Sequence, residues 1–180
     1  MQTQTRTINE FGNLTLCAIR HCSDRVDAVP VRVINAIKEN WLFIDKNHRV
    51  SIKKDVAYAV DNKIVGMDYD TKLWISFWDW IAENQKVASS NEPITQAFDI
   101  GFLTVNALRY CFGRSTAMPS LIINATKENW SFIPKRERAL ILKDLAFAFQ
   151  TRSMGNAYEK KSWLNFYDWV IDQISDEIIG

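Results

Sequence analysis

Two histidines, three cysteines, six glycines and a near-zero charge balance leave this chain poor in the parts from which sites and scaffolds are commonly built. An odd number of cysteines (Cys17, Cys22 and Cys111) at low density excludes a disulfide framework and fits a reducing compartment. The formal net charge is +1, from 22 Lys and Arg against 21 Asp and Glu, so the whole-protein basic field that drives nonspecific nucleic-acid binding is absent. No strongly acidic run suggests a DNA mimic. No apolar stretch approaches the roughly 18 residues needed to span a bilayer. The segment Met1 to Glu10 is polar and lacks the apolar centre of a signal peptide. The expectation is a cytoplasmic protein without membrane contact.

What is present is an internal duplication. Slid against itself by roughly 89 positions, the chain aligns without a gap from about residue 12 to 81, and roughly thirty of those seventy positions are identical. Arg20-His21-Cys22 faces Arg109-Tyr110-Cys111, Arg25 faces Arg114, and Pro30 faces Pro119. Ile34-Asn35-Ala36 recurs as Ile123-Asn124-Ala125. Lys38-Glu39-Asn40-Trp41 recurs intact as Lys127-Glu128-Asn129-Trp130. Lys54-Asp55, Trp74, Phe77 and Asp79-Trp80 match Lys143-Asp144, Trp163, Phe166 and Asp168-Trp169. The polar stretch 86–93 separates the copies, giving a first repeat over 1–85 and a second over 94–180. Two similar units joined this way are expected to pack about a pseudo-two-fold axis, as subunits do in a dimer.

Each unit reads as about four helices. The first runs near Gly12 to Cys22, with Leu16, Ile19 and Cys22 at helical spacing. The second starts at Pro30 and Pro119, where a first-turn residue needs no backbone donor, and carries Val33, Ile34 and Ile37. The third begins around Asp45 or Pro134. The fourth opens at Asp70-Thr71 and places Trp74, Phe77, Trp78 and Ile81 on one stripe, matched by Trp163, Phe166, Tyr167 and Val170. No strand alternation is evident. The expected fold is all-α, two four-helix units with seven tryptophans to bury.

Catalytic parts are scarce. Cys17, His21 and Cys22 suggest a metal site, but zinc asks for about four ligands and the second copy keeps only Cys111 of the three. His21 and His48 face Tyr110 and Glu137, so no base for a nucleophile is present in both halves. Asp55/Asp144 and Asp79/Asp168 are carboxylates of both halves, suited either to magnesium or acid chemistry or to structural ion pairs. No cofactor, metal or catalytic residue is expected. Arg20, Arg25, Arg109 and Arg114 read two ways, as a basic surface for phosphates or acidic side chains, or as locks closed onto Asp55 and Asp144. Trp80 and Trp169 sit off the main stripe, at the seam between copies or as anchors for a partner.

The string Ala107-Leu108-Arg109-Tyr110-Cys111-Phe112-Gly113-Arg114-Ser115-Thr116, followed by Pro119, resembles a family of small helical proteins encoded by bacteriophages and mobile elements. Gly66, Asp68, Asp70 and Trp74 resemble the family's closing loop. The first copy departs from the pattern where His21 stands for Tyr, Ser23-Asp24 for Phe-Gly and Asp27 for Thr. The resemblance covers most of each half. It implies a non-enzymatic accessory protein that binds a host protein or complex, in the manner of small inhibitors of host defence such as anti-CRISPR proteins. The alternative is a nucleic-acid-binding helical protein using the four repeated arginines, with Lys38 and Lys127 nearby.

Overall fold

The computed structural model describes residues 6–23, 29–61, 68–112, 119–151 and 157–180. Arg25 and Arg114 lie outside the described residues, as do Gly66 and Gly113. Among the described residues the secondary structure is entirely helical. The helices are α1 (Phe11–Ser23), α2 (Pro30–Glu39), α3 (Lys46–Asp61), α4 (Asp68–Asn84), α5 (Ile100–Cys111), α6 (Pro119–Glu128), α7 (Lys135–Gln150) and α8 (Ala157–Ile179). Short 3₁₀ turns at Trp41–Phe43 and Trp130–Phe132 follow α2 and α6. Elements starting at 11, 30, 41, 46 and 68 recur at 100, 119, 130, 135 and 157, a constant shift of 89. No described helix is long and apolar enough to cross a membrane.

The expected helix signals act where the local chemistry requires them. Pro30 takes the first turn of α2, where its missing N–H costs nothing. Asp45 starts α3 by accepting the N–H groups of Asn47 and His48 on Oδ1, at 2.9 and 3.0 Å. The fourth helix begins two residues earlier than its Asp70-Thr71 signal, at Asp68. On its stripe Trp74, Phe77 and Ile81 are buried, but Trp78 is a correction: it is exposed, with the Lys53 ammonium 5.3 Å from its ring centroid. One residue beyond the i+3 position turns the side chain past the edge of the apolar face.

Helices α1 and α5 form the centre and pack against each other more extensively than any other pair. Leu14 to Ile19 in α1 and Ile100 to Leu108 in α5 are buried without interruption. A helix apolar on all sides must be covered on all sides. Helices α2 and α3 cover α1, while α6 and α7 cover α5, and α2 and α6 each reach across to the other half. A single apolar cluster therefore runs through both halves. Gly101 permits the close approach of α7, since a Cβ there would lie 2.8 Å from Pro134 Cδ and 2.9 Å from Glu137 Cγ. Gly12 does the same for His48 on α3.

Candidate functional site

The repeated string Lys-Glu-Asn-Trp is where the chain concentrates its polar and aromatic chemistry. Its asparagines are buried, and each grips the opposite half. Asn40 Nδ2 donates to the Phe98 carbonyl at 2.7 Å, and the Phe98 N–H donates to Asn40 Oδ1 at 2.8 Å. Asn129 Nδ2 donates to the Asn9 carbonyl at 2.9 Å, and the Asn9 N–H donates to Asn129 Oδ1 at 2.8 Å. Phe98 and Asn9 are each two residues before a central helix, so both helices are delivered by a clamp from the other half. Asparagine suits this because one amide carries a donor and an acceptor side by side, matching the backbone's own pair. The next residues, Glu10 and Asp99, both adopt φ of 55° to turn the chain into its helix.

The tryptophans begin a run of cation–aromatic contacts. In the first half the Lys38 ammonium lies 5.4 Å from the Trp80 centroid. Trp80 meets Trp41 edge-on at 5.2 Å, and the Arg49 guanidinium lies 4.7 Å from Trp41. The second half repeats it: Lys127 is 5.5 Å from Trp169, Trp169 meets Trp130 edge-on at 5.2 Å, and Arg138 is 5.2 Å from Trp130. Arg49 and Arg138 also donate to the Trp41 and Trp130 carbonyls, at 2.6 and 2.8 Å. Burial pulls both guanidiniums below the ordinary arginine value. Contacts of this kind are worth about 0.5–2 kcal/mol each, more where water is excluded.

The two stacks differ in what lies on them. After α4 ends at Asn84 the chain turns back over the first stack. The Trp41 indole N–H donates to the Asn84 carbonyl at 3.0 Å, Arg49 donates to the Val87 carbonyl, and the Ser90 N–H donates to the Leu42 carbonyl at 2.7 Å. In the second half α8 continues past Gln173, the counterpart of Asn84, to Ile179. Its Glu177 takes Arg138 in an ion pair, and the buried Trp130 indole N–H has no acceptor among the described residues. Over this stack lies an open groove of about 730 Å³, lined by Arg6, Lys127, Glu128, Trp130, Ser131, Arg138 and Trp169 among others.

Of the four arginines singled out by sequence, the two that are described, Arg20 and Arg109, each pair within their own half. Arg20 Nε donates to Asp55 at 2.7 Å and Arg109 Nε to Asp144 at 2.6 Å, which ties α1 to α3 and α5 to α7. Both pairs are part-exposed, so each contributes about 0–1 kcal/mol. Burial pulls Arg20 down, but the charge and hydrogen bond of Asp55 outweigh it and hold it above the usual value. Trp80 and Trp169 are half-buried, each on a tryptophan of its own half. Asp79 and Asp168 are exposed. Cys17, His21 and Cys22 are buried in α1, and among the described residues no three His, Cys, Asp or Glu side chains are grouped to hold a metal ion.

Sequence reasoning missed two features. The intact recurrence of Asn40 and Asn129 was the signal for the clamps, because an asparagine held between a helix end and a tryptophan needs buried partners. Arg32 left no such mark, since its counterpart is Leu121. It donates to both oxygens of Asp99 at 2.7 and 2.8 Å, reaches Glu137 at 3.4 Å and covers the Phe102 ring at 3.9 Å, bolting α2 to the second half.

Buried thiols give a pH dependence. Burial pushes Cys22 up to about 12, against the pull of the Arg109 charge. Cys17 is held below the ordinary thiol range by a hydrogen bond with Cys111, which outweighs burial, and by Arg20. Between the ordinary thiol value near 9 and about 12 the unfolded chain gives up the Cys22 proton while the folded chain keeps it. That contribution to stability is complete below pH 9 and is lost as pH rises through this window. Urea melts of Cys22→Ala should therefore lose less stability between pH 8.5 and 11 than the unaltered chain, and parallel losses would refute the assignment.

No family model, curated protein or solved structure matches the chain.

Proposed function

We propose that this is a non-catalytic accessory protein of the phage or mobile-element type, two helical repeats about a pseudo-two-fold axis, which binds a host protein complex. Inhibition of a host-defence complex by occupying its surface, as anti-CRISPR proteins do, is the specific form of the proposal. The observation that supports it is the unequal treatment of two like stacks: one is covered by the chain's own linker, while the other carries an open groove rimmed by cations and tryptophan. Fused copies are free to diverge in this way, and an unlike pair of faces suits an asymmetric partner. The alternative, nucleic-acid binding through repeated arginines, is weakened because Arg20 and Arg109 are each closed onto a carboxylate.

The test separates the two. Immobilised protein should retain a defined host complex from nuclease-treated lysate, and labelled DNA and RNA should show no change in anisotropy at low salt. Salt-sensitive nucleic-acid binding without a retained protein would overturn the proposal.

A further inference from the structure

The chain contains its own template for what the second groove accepts. On the first stack, Trp41, Arg49 and the Leu42 carbonyl engage Asn84, Val87 and Ser90 solely through backbone groups. Two of these partners, Val87 and Ser90, lie beyond the last residue of α4, and contacts made to backbone groups are tolerant of the side chains. The same three positions in the second half, Trp130, Arg138 and Ser131, line the open groove.

Resting on the protein-binding reading above, we infer that this groove holds an extended, acidic segment of a partner polypeptide. The charge asymmetry selects the chemistry. Arg6 is matched in the second repeat by the neutral Thr95, and it is exposed at the groove's rim. Lys127 lies beside it, and neither closes an ion pair with another described residue. Glu128 is the one carboxylate among the groove-lining residues, and Arg138 is already matched by Glu177. Two cations with no carboxylate partner among the described residues, against one carboxylate, favour Asp and Glu in the ligand, while the Trp130 and Trp169 rings offer apolar contact between them. The Ser131 carbonyl is the acceptor corresponding to the one that Ser90 uses on the first stack.

The experiment is selection from a displayed library of short random peptides on the intact chain, followed by binding to nitrogen-labelled protein observed at its indole signals. Enriched peptides should carry Asp or Glu, shift Trp130 and Trp169, and leave Trp41 and Trp80 in place. Arg6→Glu, an exposed position outside the helices, should bind the same peptides about tenfold more weakly with an unchanged thermal melt. As a second variant, Ser131→Leu installs the residue the first half tolerates at Leu42 and should narrow the groove without unfolding it. Failure to enrich acidic peptides, or shifts confined to other indoles, would overturn the inference. So would a single-stranded RNA oligonucleotide that moves the same signals at lower concentration. If the intact chain retains a host complex and Arg6→Glu retains it equally, the acidic-segment inference falls and the broader protein-binding reading stands. If the intact chain retains no complex, that reading fails by itself.

Discussion

Cut between Asn91 and Glu92, the first half should fail to fold alone, showing weak far-ultraviolet helicity and no cooperative melt. The reason lies in α1, whose residues Leu14 to Ile19 are buried without a break, with α5 as their main cover. Uncovering its three large apolar side chains, Leu14, Leu16 and Ile19, at about 1.5–3 kcal/mol each, removes roughly 5–9 kcal/mol. That equals the whole stability of a typical domain, about 5–15 kcal/mol. The fragment also loses Phe98 from the Asn40 clamp, and Asp99 and Glu137 from Arg32. Adding the complementary fragment, from Glu92 to Gly180, should restore the helicity and a single transition. A sharp melt of the first fragment by itself, at concentrations too low for it to pair, would show that the halves are independent.

Asn40→Ala and Asn129→Ala should each destabilise the intact chain by about 2–4 kcal/mol. Each change removes one bond given to the opposite half and one received from it, Asn40→Ala also removes the bond to the Ala36 carbonyl, and the backbone N–H and C=O of Phe98 or Asn9 are stranded. Each stranded group costs about 1–3 kcal/mol, discounted here because both bonds are only part-buried. For a chain of this size the fall in Tm is roughly 5–15 °C. Asn35→Ala and Asn124→Ala are the controls: both are exposed, on the helices that end just before the clamp residues, and should change stability by no more than about 0.5 kcal/mol. Differential scanning calorimetry decides it. Clamp variants as mild as these controls would mean that the reciprocal grip contributes little.

Much of this was legible beforehand because helix formation and side-chain burial are local problems. Pro30, the Val33-Ile34-Ile37 stripe and the Trp74-Phe77-Ile81 spacing each carry their own periodicity, and the helices appear where those signals stand. Trp78 was misplaced because a stripe's edge depends on how the neighbouring helix is rotated. Arg20 and Arg109 do form ion pairs with Asp55 and Asp144, which only the approach of α3 to α1 and of α7 to α5 could decide.

The amino-acid order alone determined the all-helical character, the spacing of 89 between like elements and the identity of the strings that recur. All three follow from contacts within a few turns, or from comparing the chain with itself. Tertiary structure alone decided that each asparagine holds the opposite half, that Arg32 bolts two halves its own copy cannot match, and that one tryptophan stack is covered while its twin is open. The last of these depends on where Asn84 stops its helix and Gln173 does not, which brings residues far apart in the chain into or out of reach.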